Sequence, residues 1–356
     1  MTTERPIPVF FNTDVETDDR PASPLDRQPW DGFGMTWDIL ESYRPRLEEA
    51  TGAPVRFIWN LRMDPQIEKV YGTPSYAVDA NTKLIERILE RGDQIGLHPH
   101  SFRWDDRLDG WVCDRGSEAW TDQVIETSFQ AYASSLGRPC RVSRFGEFWM
   151  TNRAVRLVER LGGRFDMTLE PGLPPKPTLE PEFPFTATLP GFHGVPQEPY
   201  HPAPEDFRRP AADGGDGLWM IPLSTESSRP RAPVPRVNPI RRPVKAARAI
   251  RRRVRHPVRT VKPPLRTLSP WMRWSSPSAF WRAAERLISR LERPYLAVAI
   301  KTDVPLFPIQ LEGFTAIMEH LFDRPLVRRL RFTTPAEGLQ MLGYEPTPTS
   351  TEGGTR

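Results

Sequence analysis

Residues 92–104, "GDQIGLHPHSFRW", bring two of the chain's six histidines, His98 and His100, to the end of an apolar run. Side chains two apart on a strand share a face, so both imidazoles can reach one point in space. That is how a strand offers two nitrogen ligands to one metal ion. The alternative is a pair of surface histidines in a loop beside Pro99. Other chemistry-bearing residues stand at the ends of other apolar runs: Asp14 and Glu16, Arg144 and Glu147, Asp166, Ser224, and Lys301 with Asp303. Carboxylates, imidazoles and cations drawn from separate strand ends are the material of a metal-assisted catalytic site.

These groups converge only if the runs are parallel strands. "PVFFNTD", "PVRFIWNL", "DQIGL", "PCRVS", "RFDM", "LWMIPLS" and "YLAVAIK" are short apolar runs of strand length. Between them lie helical patterns, among them "TWDILESYRPRLEEATG", and "TKLIERILERG" with its stripe of Leu84, Ile85, Ile88 and Leu89. Several of these helices end at a glycine. Strands that alternate with helices imply a parallel sheet. About seven strands over this length favour a closed barrel, whose chemistry sits where the strands end.

A chain of 356 residues has room for such a barrel, of about 250 residues, and an insertion. Two cysteines, Cys113 and Cys140, form no CxxC pair and suit a reducing compartment. The first residues show no basic region followed by an apolar one, and no apolar run is long enough to span a bilayer, so a cytoplasmic protein is expected. Charge is divided unevenly. Residues 229–273 hold 15 Lys and Arg and no acid; removing them leaves 34 basic against 45 acidic residues, a net of −11. Within this segment Val244, Ala247, Ile250 and Val254 recur at helical spacing. A basic amphipathic helix on an anionic membrane and a proline-broken disordered insertion are both compatible with it. Nucleic acid is disfavoured, because no recognition fold accompanies the charge. The expected organisation is a barrel over 1–228, the insertion over 229–273, the rest of the barrel over 274–345 and a tail over 346–356.

In order along the chain, "FNTDVETDD", "GDQIGLHPHSF", "SRFGEFW" and "LGGRFDMTLEPG" resemble the successive motifs of the polysaccharide deacetylases (NodB-homology, carbohydrate-esterase-4 type). The resemblance covers most of residues 7–342 outside the basic segment. It implies a distorted (β/α)7 TIM-like barrel and a divalent-metal de-N-acetylase. Three positions differ from the family's pattern. The histidines stand two apart rather than four, Glu16 replaces an adjacent aspartate, and Lys301 and Asp303 stand where a late histidine is usual.

The resemblance implies roles. His98, His100 and one carboxylate, Asp14 or Glu16, would hold the metal, expected to be Zn²⁺, and the other carboxylate would act as base. Arg144 would orient that base; Lys301, with Asp303, would face the developing oxyanion. Glu147, Trp149 and Trp104 are candidate substrate contacts. His201, like His193 in the same loop, is a candidate proton donor or a solvated loop residue. The expected activity is hydrolysis of an acyl group, such as N-acetyl, from a carbohydrate or glycolipid in surface-glycan or glycoconjugate synthesis. Two rivals stand beside it: hydrolysis of a non-peptide C–N bond on a non-sugar substrate, and a non-catalytic carbohydrate-binding barrel that has lost its metal.

Overall fold

The computed structural model describes residues 5–175, 179–180, 183–184, 186–187, 191–212, 214–227, 265–272 and 274–345. The basic segment from 228 to 264, with His256 and the Val244–Val254 pattern, and the tail from 346 to 356 lie outside the described residues. Residues 265–272, read from the sequence as the end of that segment, belong to the barrel mouth.

Seven parallel strands form the frame: β1 (Ile7–Val15), β2 (Ile58–Leu61), β3 (Gln94–Leu97), β6 (Val142–Ser143), β7 (Phe165–Asp166), β10 (Trp219–Met220) and β13 (Leu296–Lys301). Their spatial order is β10-β7-β6-β3-β2-β1-β13, and β14 (Leu330–Phe332) pairs with the start of β1. The ring closes through residues 221–224. Ser224 N–H donates to the Ala297 carbonyl at 2.8 Å, and Ala297 N–H donates to Ser224 Oγ at 2.9 Å.

Strand alternation sorts the side chains. Val9 and Phe11 on β1, Trp59 and Leu61 on β2, and Ile95 and Leu97 on β3 join the large outer core. There they pack against α1 (Asp31–Thr51), α4 (Thr82–Glu90), α5 (Glu118–Leu136) and the later helices α7 (Pro277–Ile288) and α8 (Pro308–Phe322). Phe10, Ile58, Val142, Ala297 and Ala299 form a second cluster inside the ring, with Leu339 of α9 (Pro335–Met341) among them. Period two then carries the inner face of each strand upward into polar groups: Phe10, Asn12, Asp14, Glu16; Ile58, Asn60, Arg62; Gly96, His98, His100; Ala299, Lys301. Asn60 donates to Asn12 at 3.2 Å in the layer below the site. Gly96 leaves the room that Asn60 needs, since a Cβ there would lie 2.5 Å from Asn60 Oδ1.

The sequence reading passed over several elements. A hairpin of β4 (Phe102–Asp105) and β5 (Gly110–Cys113) follows β3, and the short helices α2 (Pro65–Tyr71) and α3 (Tyr76–Asp79) follow β2. β11 (Thr225–Ser227) pairs antiparallel with β12 (Leu265–Thr267) where the described chain breaks off and resumes. No helix among the described residues is long and apolar enough to cross a membrane.

Candidate active site

A cleft of ≈ 430 Å³ opens where β1, β3, β6 and β13 end. Asp14, Glu16, His98, His100, Arg144, Glu147 and Lys301 line it. Six of the seven come from those strand ends or the three residues beyond, so the parallel topology brings them together.

The histidines are held from behind. His98 Nδ1 lies 2.5 Å from the backbone carbonyl of Arg144. A carbonyl only accepts, so Nδ1 carries the proton and the Nε2 lone pair faces the cleft. His98 Nε2 is 3.1 Å from His100 Nε2 and 3.3 Å from Glu16 Oε1; His100 Nε2 is 3.7 Å from the same oxygen. His100 takes its place through its backbone N–H, which donates to Asp64 Oδ2 at 3.1 Å. Asp64 in turn pairs with the buried Arg62 at 2.9 Å. The His100 ring rests against Gly146, where a Cβ would fall 2.2 Å from it. Burial, and next the Arg62 charge, hold the His100 imidazole well below its ordinary pKa, so it is neutral and able to ligate.

The two candidate carboxylates have separate partners. Asp14 Oδ2 pairs with Arg144 at 3.2 Å, and Oδ1 lies 3.7 Å from His98 Nδ1. Glu16 Oε1 meets Lys301 Nζ at 3.0 Å. Glu16 is fixed at its backbone by Thr302, whose Oγ1 accepts from Glu16 N–H at 3.0 Å and donates to its carbonyl at 3.1 Å. Burial would raise the Glu16 carboxyl, but Lys301 and then the two histidines hold it well below the usual range. Burial likewise works against the Lys301 ammonium, and Glu16 first, with Glu147, Asp14 and Asp303, more than restores it. Asp303 is pushed up to about 6 by burial, against the pull of Lys301, and its Oδ1 finds no hydrogen-bond partner.

The donors fit a divalent ion. Ligand atoms of Glu16, His98 and His100 all lie within 4.8 Å of one another, and two imidazole nitrogens with one carboxylate oxygen are a donor set that zinc and its neighbours accept. The two Nε2 atoms also lie within hydrogen-bond distance, so a proton on His100 Nε2 satisfies the pair when no ion is bound.

The structure does not bring every expected residue to the cleft. Trp149 is buried edge-on against Phe145, centroids 4.6 Å apart, and Trp104 packs on Trp111 at 5.2 Å in the hairpin. His201 Nδ1 donates to the Leu218 carbonyl, and the ring lies over Trp219. None of the three lines the cleft, and neither does Asp303. Their side chains turn into the core or along the mouth instead. Asp166 serves the frame, accepting from Ser143 and Thr168 hydroxyls. Glu147 does face the cleft. It holds a left-handed backbone, φ 52°, and pairs with Arg20 at 3.2 Å. Sequence reasoning missed Arg20, Glu170, Trp271 and Met272 in the walls, which sit in connections without a periodic signature, and Arg266 on the short β12. It also missed Arg62 and Asp64, although both follow the end of an identified strand.

A ring of seven parallel strands with helices outside and a polar mouth defines a distorted (β/α)7 barrel, the fold of the NodB-homology polysaccharide deacetylases. The chain is similar to a solved protein of Parabacteroides distasonis described as a glycoside hydrolase/deacetylase, at 12% identity over 95% of this chain and 71% of that one, TM-score 0.54. It is also similar to PuuE allantoinase (12% identity, 96% and 91% covered, TM-score 0.48) and to a probable polysaccharide deacetylase of Pseudomonas aeruginosa PAO1 (11%, 95% and 91%, 0.48). At these identities the likeness is one of fold. No family model and no curated protein matches the sequence.

Proposed function

We propose that this barrel is a hydrolase of carbon–nitrogen bonds other than peptide bonds, removing an acyl group, N-acetyl in the first instance, from a carbohydrate in glycan or glycoconjugate synthesis. The observation that carries this is the buried Glu16–His98–His100 cluster at the mouth of a deacetylase-type barrel. We assign the metal to these three residues, with zinc as the expected ion, and the base to Asp14. A divalent cation bound there supplies Lewis acidity, which polarises an acyl carbonyl and acidifies a water. Asp14, oriented by Arg144, is placed to accept a proton within the cleft. Lys301 brings a fixed positive charge to the side of the cleft where an oxyanion would develop. Glu147, braced by Arg20, offers a hydrogen-bond acceptor to sugar hydroxyls. The two buried, free cysteines fit a cytoplasmic site of action.

One observation favours the rival binding reading. Lys301 already gives Glu16 a cationic partner at 3.0 Å, as expected of a barrel that holds its acidic ligand without a metal. Metal analysis separates the two. After supplementation with zinc, cobalt, nickel or manganese, wild type should retain close to one equivalent and His98→Ala should lose it. Release of acetate from N-acetylated sugars should fall in parallel. Near-zero occupancy in both proteins would overturn the hydrolase reading in favour of the binding barrel.

A further inference from the structure

One carboxylate oxygen carries three of the contacts in the cleft. Glu16 Oε1 lies 3.0 Å from Lys301 Nζ, 3.3 Å from His98 Nε2 and 3.7 Å from His100 Nε2. A divalent ion held by Glu16, His98 and His100 takes the carboxylate that Lys301 already holds. Two cations on one buried carboxylate repel each other strongly, because little water stands between them. The metal-free arrangement, by contrast, satisfies its own groups. Glu16 has the ammonium, His98 Nδ1 has the Arg144 carbonyl, and the two Nε2 atoms share a proton across 3.1 Å.

A second, independent observation lies two residues further along. Asp303 stands in the turn that follows β13 and Lys301. Its Oδ1 is buried and has no hydrogen-bond partner among the described residues. A buried carboxylate oxygen without a donor is costly, and such groups are few in folded proteins. Lys301 is the cation whose charge reaches it. A lysine carries its three donors on a flexible four-carbon stem, so its head can be re-aimed without moving the strand. Asp303 Oδ1 therefore has the properties of a second seat for the Lys301 ammonium.

We propose that Lys301 is a built-in counter-ion for the empty metal site, holding Glu16 while no ion is bound and moving to Asp303 when one is. Asp303 gains its missing donor in the loaded state, which offsets the loss of the Lys301–Glu16 pair. The site thereby stands stable without metal and loads reversibly. Occupancy, and with it the proposed hydrolysis, follows the free metal concentration rather than being fixed when the chain folds. The inference rests on the metal assignment made for the hydrolase reading.

The test reads zinc and cobalt affinities of the full chain by chelator competition, without turnover. Lys301→Met removes the competing cation and should bind either ion at least about tenfold more tightly than wild type. Asp303→Asn removes the receiving charge and should bind about three- to tenfold more weakly. The double variant is decisive. If Asp303 acts by receiving Lys301, Asp303→Asn should have no effect once residue 301 is methionine. A role as one more negative charge near the ion predicts equal weakening in both backgrounds, and that result overturns the proposal. Asp303→Asn keeps the Lys301–Glu16 pair, so it is measurable even if Lys301→Met folds only with metal, and unchanged affinity there overturns the proposal by itself. His98→Ala separates this inference from the reading beneath it. Wild-type binding that His98→Ala abolishes, with Lys301→Met no tighter, overturns the exchange and leaves the hydrolase reading standing. No binding in either wild type or Lys301→Met overturns both.

Discussion

The His98 tautomer is set by a backbone carbonyl, and His100 has its position from a glycine and a buried aspartate, so the two proposed ligands depend on residues behind the cleft. Gly146→Ala tests this. Its Cβ would fall 2.2 Å from the His100 ring, and the ring must move. Metal affinity, read by chelator competition, should drop about 10–100-fold, the range for losing a support behind a ligand. Unchanged affinity would remove His100 from the ligand set. Asp166 makes a different point. Burial pushes its carboxyl to about 6 from an ordinary 3.8, against hydrogen bonds from Thr168 and Ser143. The native state therefore holds that proton more tightly than the unfolded chain. The group's stabilising contribution is full below 3.8 and is lost as pH rises through about 6. Asp166→Asn should match wild type in denaturant at about pH 3.5 and exceed it by on the order of 2 kcal/mol at about pH 7.5. An equal or lower neutral stability would show that the carboxylate is accommodated in its charged form. At this scale the sequence discloses the residues whose spacing follows strand geometry: Asp14 with Glu16, and His98 with His100. It does not distinguish Asp166, which faces the frame, from Asp14, which faces the cleft, because both end an apolar run.

Among elements, the alternation of apolar runs with helical stripes is enough to predict seven parallel strands, since period two and period 3.6 are local properties. The β4–β5 hairpin and α2 escape that reading for a physical reason. They are short, so neither a period of two nor one of 3.6 can be read over their length. Helix α2 shows how such an element supports chemistry. Asp64 caps it, accepting from Gln66 N–H at 3.0 Å and Ile67 N–H at 3.4 Å. The same side chain neutralises Arg62, which is 2% exposed, and receives the His100 N–H. Asp64→Ala would leave a guanidinium buried without its carboxylate. The expected cost is about 3–5 kcal/mol by equilibrium denaturation, with metal affinity falling too. Combining it with Arg62→Met removes the stranded charge and should recover part of the stability but not the affinity. Recovery of both would mean that the Asp64 contact to His100 is dispensable.

For the whole molecule, the charge split legible in composition and the closed ring that is not legible there are two aspects of one architecture. The barrel's acidic body holds a polar mouth, and the chain leaves for its basic stretch within three residues of the seam where the ring closes. The particular pairing that closes the ring is not legible in sequence, because it joins residues 73 apart and runs through two bonds to Ser224 rather than a regular ladder. The seam is thin. Ser224 supplies both polar groups facing Ala297, its N–H to the carbonyl at 2.8 Å and its Oγ to the N–H at 2.9 Å; Tyr295 adds a hydroxyl donated to the Pro222 carbonyl at 2.7 Å. Ser224→Ala removes the acceptor for a buried N–H and should cost about 1–3 kcal/mol. The loss should be local before it is global. Native-state hydrogen exchange should show the Ala297 amide, and those of 221–224, exchanging faster by about the same free energy, while amides of β2 and β3 across the ring keep the protection of global unfolding. If β2 and β3 lose protection equally, the ring opens as one unit and the seam is not its weakest point. If the Ala297 amide is unaffected, the ring is held shut by side-chain packing inside it, and the two bonds to Ser224 merely follow.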